Sequence, residues 1–270
     1  MRDALGMVHY PGEGCRTLTS NNAPYWWVGG PGPVGGRFVS PSELGLFMGL
    51  DVKMGSFPAA VAYLRWKDWT DNYLYRWIAE SVHGRVADYI AEVGRGLFVG
   101  PCCSVGSLYS GAFDELSAAC VRIFGPLHYV FAAESCAKKA EVLWRGRSPG
   151  VVYSSVGEAG EAPHVDVLVS SPSCLVFSTA NRQAGDSVRE AEGQISEMRA
   201  VVESSRPCVF IVEQTVGLKT HHKDAYGAYQ GFFDALPYRV CHGVVNAREG
   251  FEATHERVRL FWVCVQSVVL

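Results

Sequence analysis

Val165-Asp166-Val167-Leu168-Val169-Ser170-Ser171-Pro172-Ser173-Cys174 decides the reading of this chain. An apolar run of strand length breaks at a proline and delivers a thiol onto a turn. Downstream, residues 208–212 form a second such run, which ends in Glu213. A third, residues 260–265, follows Arg257-Val258-Arg259. A thiol, a carboxylate and two guanidiniums therefore stand at the margins of three strand candidates. If the strands share one sheet, these groups form a compact site suited to chemistry on a heteroaromatic base.

Further strand candidates are residues 105–109, 129–132 and 240–245. Helical periodicity fills the gaps at 115–124, 136–144, 187–204 and 223–236. Strands alternating with helices predict an α/β domain built on a doubly wound, mostly parallel sheet. The last two strands leave no room for a helix between them, so one is expected to run antiparallel. Ahead of this region, residues 70–93 read as helical, with Tyr73, Trp77, Ile78, Val82, Val86, Ile90 and Val93 on related faces. Ser40-Pro41-Ser42-Glu43 reads as a helix start with a capping box, and the helix stops near Gly49. Residues 1–36 are rich in Gly, Pro and Asn and read as irregular.

The 270 residues suit one large domain, or a domain with a small appendage. With 48% hydrophobic and 12% aromatic residues the chain can fill a core, which excludes wholesale disorder. No apolar run reaches membrane-spanning length, and no basic-then-apolar leader opens the sequence. Nine scattered cysteines without a C-x-x-C pair argue against a disulfide framework or a zinc site. We expect no metal and a reducing intracellular setting: cytoplasmic, or nuclear in a eukaryote. A net charge of −3 does not advertise a nucleic-acid binder, although a local basic groove is compatible with it.

In open α/β sheets ligands bind beyond the carboxyl ends of the strands. The first strand candidate runs into Tyr109-Ser110-Gly111-Ala112-Phe113, a small-residue turn at a helix start. The second ends near Glu134, an acid spaced to meet a ribose hydroxyl pair. Taken alone, the turn is as well explained by a tight connection, and Glu134 is better explained by a solvated carboxylate at a strand end. Most cysteines are small buried hydrophobes. Cys174 differs in lying past a strand end, beside Pro172, Ser173 and Ser178 and ahead of a polar loop.

Taken together, these residues resemble the DNA (cytosine-5)-methyltransferase family. Leu108-Tyr109-Ser110-Gly111 resembles its cofactor loop, and Glu134 its ribose-binding acid. Pro172-Ser173-Cys174-Leu175-Val176-Phe177-Ser178 resembles the Pro-Pro-Cys-Gln-x-Phe-Ser nucleophile loop. Glu213-Gln214-Thr215-Val216-Gly217-Leu218 resembles Glu-Asn-Val-x-Gly-Leu, and His255-Glu256-Arg257-Val258-Arg259 resembles Gln-x-Arg-x-Arg. The resemblance implies a Rossmann-like fold, S-adenosylmethionine as cofactor, and as partner duplex DNA with a flipped cytosine. It implies Cys174 as nucleophile, Glu213 as the acid on the ring, and Arg257 and Arg259 as orienting cations. Cofactor contacts would come from Ser81, Tyr109, Ser110, Gly111, Phe113, Glu134, Ser135 and Pro172. Ser178, Asn181 and Arg182 would belong to a loop that closes over the substrate.

The order of motifs departs from the family's. Arg37-Phe38-Val39-Ser40-Pro41-Ser42-Glu43 resembles the ninth motif, and Tyr75-Arg76-Trp77-Ile78-Ala79-Glu80-Ser81-Val82 the tenth. In the family both come last, so the chain reads as circularly permuted. This divides it into residues 1–36, a remnant of the target-recognition region or an irregular arm; 37–95, the permuted helical segment; and 96–270, the catalytic core. No acidic adenine contact of the third motif is found; Ser154 and Ser155 lie near its place. Residues 1–36 and the few after 265 are too few for a full target-reading lobe, so the expectation is that a partner subunit supplies sequence reading, that there is little sequence preference, or that the substrate is not duplex DNA. Alternative readings are a related enzyme that transfers another group or acts on single strands or nucleotides, and a non-catalytic methyltransferase-like subunit.

Overall fold

A computed structural model describes residues 27–28, 37–38, 40–48, 50, 61–62, 67, 71–178, 186–251, 253 and 256–266. Strands β1 (Trp27–Val28) and β2 (Arg37–Phe38) pair as a short antiparallel ribbon. Helix α1 (Pro41–Phe47) follows. The capping box is present: Glu43 N donates to Ser40 Oγ at 3.3 Å, and Ser40 N donates to Glu43 Oε2 at 2.9 Å.

Residues 70–93 form two helices, α2 (Asp71–Glu80) and α3 (Gly84–Leu97), where the periodicity predicts one continuous stretch. The break has a tertiary cause. Gly84 N donates to Met48 O at 2.9 Å, and His83 is extended at φ −64, ψ 128. The orphan carbonyls at the end of α2 are taken by a guanidinium from the far end of the chain, described below.

The main sheet has seven strands: β3 (Ser104–Leu108), β4 (His128–Ala133), β5 (Val151–Tyr153), β6 (Val167–Ser170), β7 (Val209–Thr215), β8 (Tyr238–Asn246) and β9 (Val258–Gln266). Their spatial order is β5-β4-β3-β6-β7-β9-β8. All neighbours from β5 to β7 are parallel; β9 runs antiparallel to both β7 and β8. The doubly wound expectation and its antiparallel exception are both met. The order reverses between β3 and β6, which opens the crevice where such sheets bind ligands. β5 has no counterpart in the sequence reading; three residues at a sheet edge are too short to carry a period.

Between the strands run α4 (Glu115–Phe124), α5 (Ala137–Arg147), α6 (Ser187–Ser205), α7 (Gly217–His221) and α8 (Lys223–Ala235). Alternate strand residues feed two cores. Leu168, Phe210, Val212, Leu260 and Trp262 pack with α6 and α8 on one face. Val167, Val169, Val209, Ile211, Phe261 and Val263 pack with α3 and α4 on the other. This two-sided burial explains the unbroken apolar runs. The eight described cysteines are all unbonded. No helix among the described residues is long and apolar enough to cross a membrane.

One glycine in β3 is fixed by contact. A Cβ on Gly106 would lie 2.5 Å from Cε1 and Cζ of Phe131, a ring with no exposed surface. We expect Gly106→Ala to destabilise the fold by about 1–3 kcal/mol, as overpacking of a filled core does. The midpoint of urea unfolding checks this.

Candidate active site

Three strand ends build the site. At the first, Ser171 N donates to Leu108 O at 3.2 Å, which carries the backbone off β6 alongside β3. A turn follows in which Phe177 N donates to Cys174 O at 3.1 Å. Phe177 anchors it, with no exposed surface and edge-on contacts to Tyr229 and His222. Cys174 is thereby left half-buried on a turn whose far end is locked in the core. The two carbonyls ahead of it are held as well. Gln214 Nε2 donates to Pro172 O at 3.4 Å and lies 3.5 Å from Ser173 O; Gln194 Nε2 donates to Ser173 O at 2.9 Å.

At the second, β7 extends past its apolar run to Thr215 because β9 pairs with it along its whole length. That pairing sets Arg259 opposite Thr215 and Phe261 opposite Glu213. Arg259 Nε sits 2.8 Å from Glu213 Oε1. Arg257 turns the other way and is 2% exposed. Its Nη1 donates to Ala79 O at 2.7 Å and its Nη2 to Ser81 O at 2.5 Å. These are the carbonyls that end α2. Its Nε is buried without a hydrogen-bond partner.

The electrostatics tie the groups together. Burial pushes the Cys174 thiol up; Arg259 and Arg257 pull it back, and Glu213 adds to the rise. Burial likewise raises Glu213 above the usual carboxyl range, opposed by Arg259 and Arg257. Burial and the neighbouring charge of Arg259 push Arg257 down to about 9, with Glu213 acting against them. The sulfur, carboxyl and guanidiniums singled out from the sequence thus act on one another. Because Arg259 is the leading group favouring the thiolate, Arg259→Gln should shift the pH profile of Cys174 alkylation to higher pH. Mass spectrometry of the Cys174 peptide after iodoacetamide treatment reads this; an unmoved profile would refute the coupling.

The third region is the crevice at the ends of β3 and β4. Glu134 is buried, with both oxygens fixed. Gly111 N donates to Oε2 at 2.8 Å, and Cys136 N donates to Oε1 at 2.7 Å. Each oxygen keeps a lone pair for a hydroxyl donor, so this rigid carboxylate fits the ribose of S-adenosylmethionine. Gly111 adopts φ 68, and nothing lies within 4 Å of where its Cβ would stand. Ser110 N donates to Ala133 O at 3.0 Å, closing the turn onto β4. Phe113 is buried, its carbonyl accepting from Arg147 Nε at 3.1 Å and Nη2 at 3.0 Å. Ser135 is exposed. Ser81 enters through its backbone, and its hydroxyl donates to Trp77 O at 2.8 Å. Ser154 and Ser155 are both engaged with Glu158, Ser154 Oγ donating to Glu158 Oε1 at 2.8 Å and Ser155 Oγ accepting from Glu158 N at 3.1 Å. Ser178 follows the Cys174 turn. Asn181, Arg182 and the rest of the expected closing loop lie outside the described residues, as do His255 and nearly all of residues 1–36.

Two placements were not legible in the sequence. Tyr109 takes φ 52, and its hydroxyl donates to Glu197 on α6. Burial and Glu197 hold its phenol well above the ordinary value, so it stays a donor. Gln194, on the same helix, is 4% exposed. The available signal was a polar residue on the apolar stripe Ala191, Ile195, Met198 and Val202. Among the described residues no group of His, Cys, Asp and Glu is arranged to hold a metal ion.

Residues 138–268, just under half of the chain, match the model of the C-5 cytosine-specific DNA methylase family. The match runs from α5 to β9 and takes in Cys174, Glu213, Arg257 and Arg259. No curated protein sequence matches significantly. Solved structures show weak likeness. A protein of Pyrococcus horikoshii described as an RNA methyltransferase is 13% identical, at TM-score 0.47 over 69% of this chain and 86% of that one. A protein encoded in an E. coli prophage and described as a DNA modification methyltransferase is 18% identical, at TM-score 0.46 over 61% of this chain and 47% of that one. The S. pombe Dnmt2 methyltransferase is 14% identical, at TM-score 0.45 over 61% of this chain and 49% of that one. At such identities and scores these likenesses carry no weight.

Proposed function

We propose that this chain, of which residues 138–268 match the model of the C-5 cytosine-specific DNA methylase family, is an S-adenosylmethionine-dependent cytosine-5 methyltransferase, that its acceptor is a cytosine of DNA and that Cys174 attacks it covalently. The observation that supports this most is the meeting of Cys174, Glu213, Arg257 and Arg259, drawn from three strand ends, within electrostatic reach of one another. The cytosine leaves the duplex stack to reach them.

The Cys174 thiolate bonds to carbon 6, and the electron pair of the 5,6 double bond moves into the ring. Glu213, protonated more readily because it is buried, donates to ring nitrogen 3 and offsets the charge that builds there. Arg259 holds the Glu213 carboxyl, and the unpaired Nε of Arg257 is left as a donor for the base. Carbon 5 becomes nucleophilic. When bound, S-adenosylmethionine supplies an electrophilic methyl group. A base, with water a sufficient one, then removes the proton from carbon 5; the double bond reforms and Cys174 leaves as thiolate.

Glu134, Gly111 and Ser110 would hold the cofactor. A hydrogen bond to a charged group contributes about 1.5–3 kcal/mol, so Glu134→Ala should weaken S-adenosylmethionine binding by about 10- to 100-fold. Equilibrium dialysis checks it; unchanged binding would place the cofactor elsewhere.

The segment 37–95 supports the permuted order. α2 delivers the Ala79 and Ser81 carbonyls to Arg257, and α3 packs against α4 and β9. In this reading residues 96–270 are the catalytic core, residues 1–36 an arm, and a partner subunit supplies target recognition. Duplex DNA with 5-fluorocytosine tests the chemistry. A covalent protein–DNA complex that needs the cofactor, with 5-methylcytosine as product on ordinary DNA, supports it. No complex, or another modified base, overturns it.

A further inference from the structure

One stripe of α6 reaches both halves of the site. Glu190, Gln194 and Glu197 stand at i, i+4 and i+7, on one face of the helix. Gln194 Nε2 donates to Ser173 O at 2.9 Å, on the residue just ahead of Cys174, and to Glu190 Oε1 at 2.8 Å. Its Oε1 accepts from the Tyr229 hydroxyl on α8. That bond fixes which end of the amide faces the nucleophile turn. One turn further along, Glu197 accepts from the hydroxyl of Tyr109, which opens the cofactor turn with a left-handed backbone that only a minority of non-glycine residues adopt. A buried amide on an otherwise apolar stripe costs free energy unless every group on it is bonded. Both ends of Gln194 are.

We infer that Gln194 and Glu197 are positioning residues, and that α6 is a polar brace setting the nucleophile turn at a fixed distance from the cofactor turn. The inference rests on the reading of Cys174 as the nucleophile, and it adds how sulfur and methyl donor are brought into register. Neither residue touches a reacting atom. Gln194 acts through the Ser173 carbonyl, and Glu197 through Tyr109. Gln214 grips the neighbouring carbonyl from β7 at longer distances, so the turn is held from two elements and Gln194 makes the shorter contact.

The test compares Gln194→Met, which keeps the length and loses the hydrogen bonds, with Gln194→Glu, which sets a carboxylate against the Ser173 carbonyl. Tyr229→Phe, which frees the amide to turn, and the pair Glu197→Ala and Glu197→Gln complete the set. Two readouts are taken on the full chain: the single-turnover rate of adduct formation with 5-fluorocytosine DNA, and the pH profile of Cys174 alkylation by iodoacetamide. A reacting group displaced by a fraction of an ångström loses about 10-fold or more in rate, which is the fall expected for Gln194→Met. DNA and cofactor binding should stay within about twofold, as fits a loss of positioning rather than of uniform binding. Gln194→Glu should fall further. Glu197→Gln, which still accepts from Tyr109, should restore most of what Glu197→Ala loses. Wild-type adduct rates and alkylation profiles in Gln194→Met and Glu197→Ala would overturn the brace, as would losses that track thermal stability alone. If the wild-type chain forms no adduct, the proposed chemistry fails instead. The brace is then judged by alkylation, where an unmoved Cys174 profile in Gln194→Met overturns it.

Discussion

Replacing Cys174 with serine should remove both methyl transfer and the covalent DNA complex, while cofactor binding stays intact. The expected loss is about 10³-fold or more, the scale seen when a nucleophile is removed and only binding and electrostatic terms remain. Serine is nearly isosteric, but its hydroxyl ionises far above the thiol, and Arg259 and Arg257 are not strong enough to close that gap. Trapping on 5-fluorocytosine DNA and single-turnover transfer measure the two losses. Residual trapping in Cys174→Ser would mean that another group attacks, and the reading of the β6 turn would be wrong.

Glu213→Gln should lower the transfer rate by about 10²- to 10³-fold, the usual cost of removing one preorganised group from a site where charge develops. The side chain keeps its length, so Arg259 retains an oxygen to meet. What is lost is the proton that Glu213 gives to ring nitrogen 3. The same change has a consequence for stability. Burial raises the Glu213 carboxyl above 4.5 in the folded chain, so the fold holds that proton more tightly than the unfolded chain does. The associated stability is complete below 4.5 and fades as pH rises through the raised folded value. Glu213→Gln should remove that slope. Urea unfolding at a series of pH values measures it, and an unchanged slope would refute the assignment.

Much of the site was legible because the chemistry demands particular side chains at strand ends. Cys174, Glu213, Arg257 and Arg259 stand out at the margins of apolar runs, and pairing between β7 and β9 brings Arg259 to Glu213. Ser40 and Glu43 were equally readable, because a capping box is a local device. What escaped is decided by partners distant in the chain. The gap between α2 and α3 depends on Arg257, which lies 176 residues beyond Ser81. Gln194 reads as one more polar residue on an amphipathic helix until Ser173 and Tyr229 are placed beside it. Tyr109 stands by position in the turn after β3, yet its hydroxyl reaches Glu197 on α6.

The placing of β9 bears on synthesis. Among the described residues it comes last of the strands in chain order, yet it lies inside the sheet between β7 and β8. A chain emerging from the ribosome must therefore leave the flank of β7 bare, and Glu213 without its arginine, until residues 258–266 appear. Until then a long apolar strand offers open hydrogen-bonding groups to any neighbour, a recognised route to clumping. Products stopped before β9 should be inert as well as sticky, so catalytic competence and solubility arrive together with that strand.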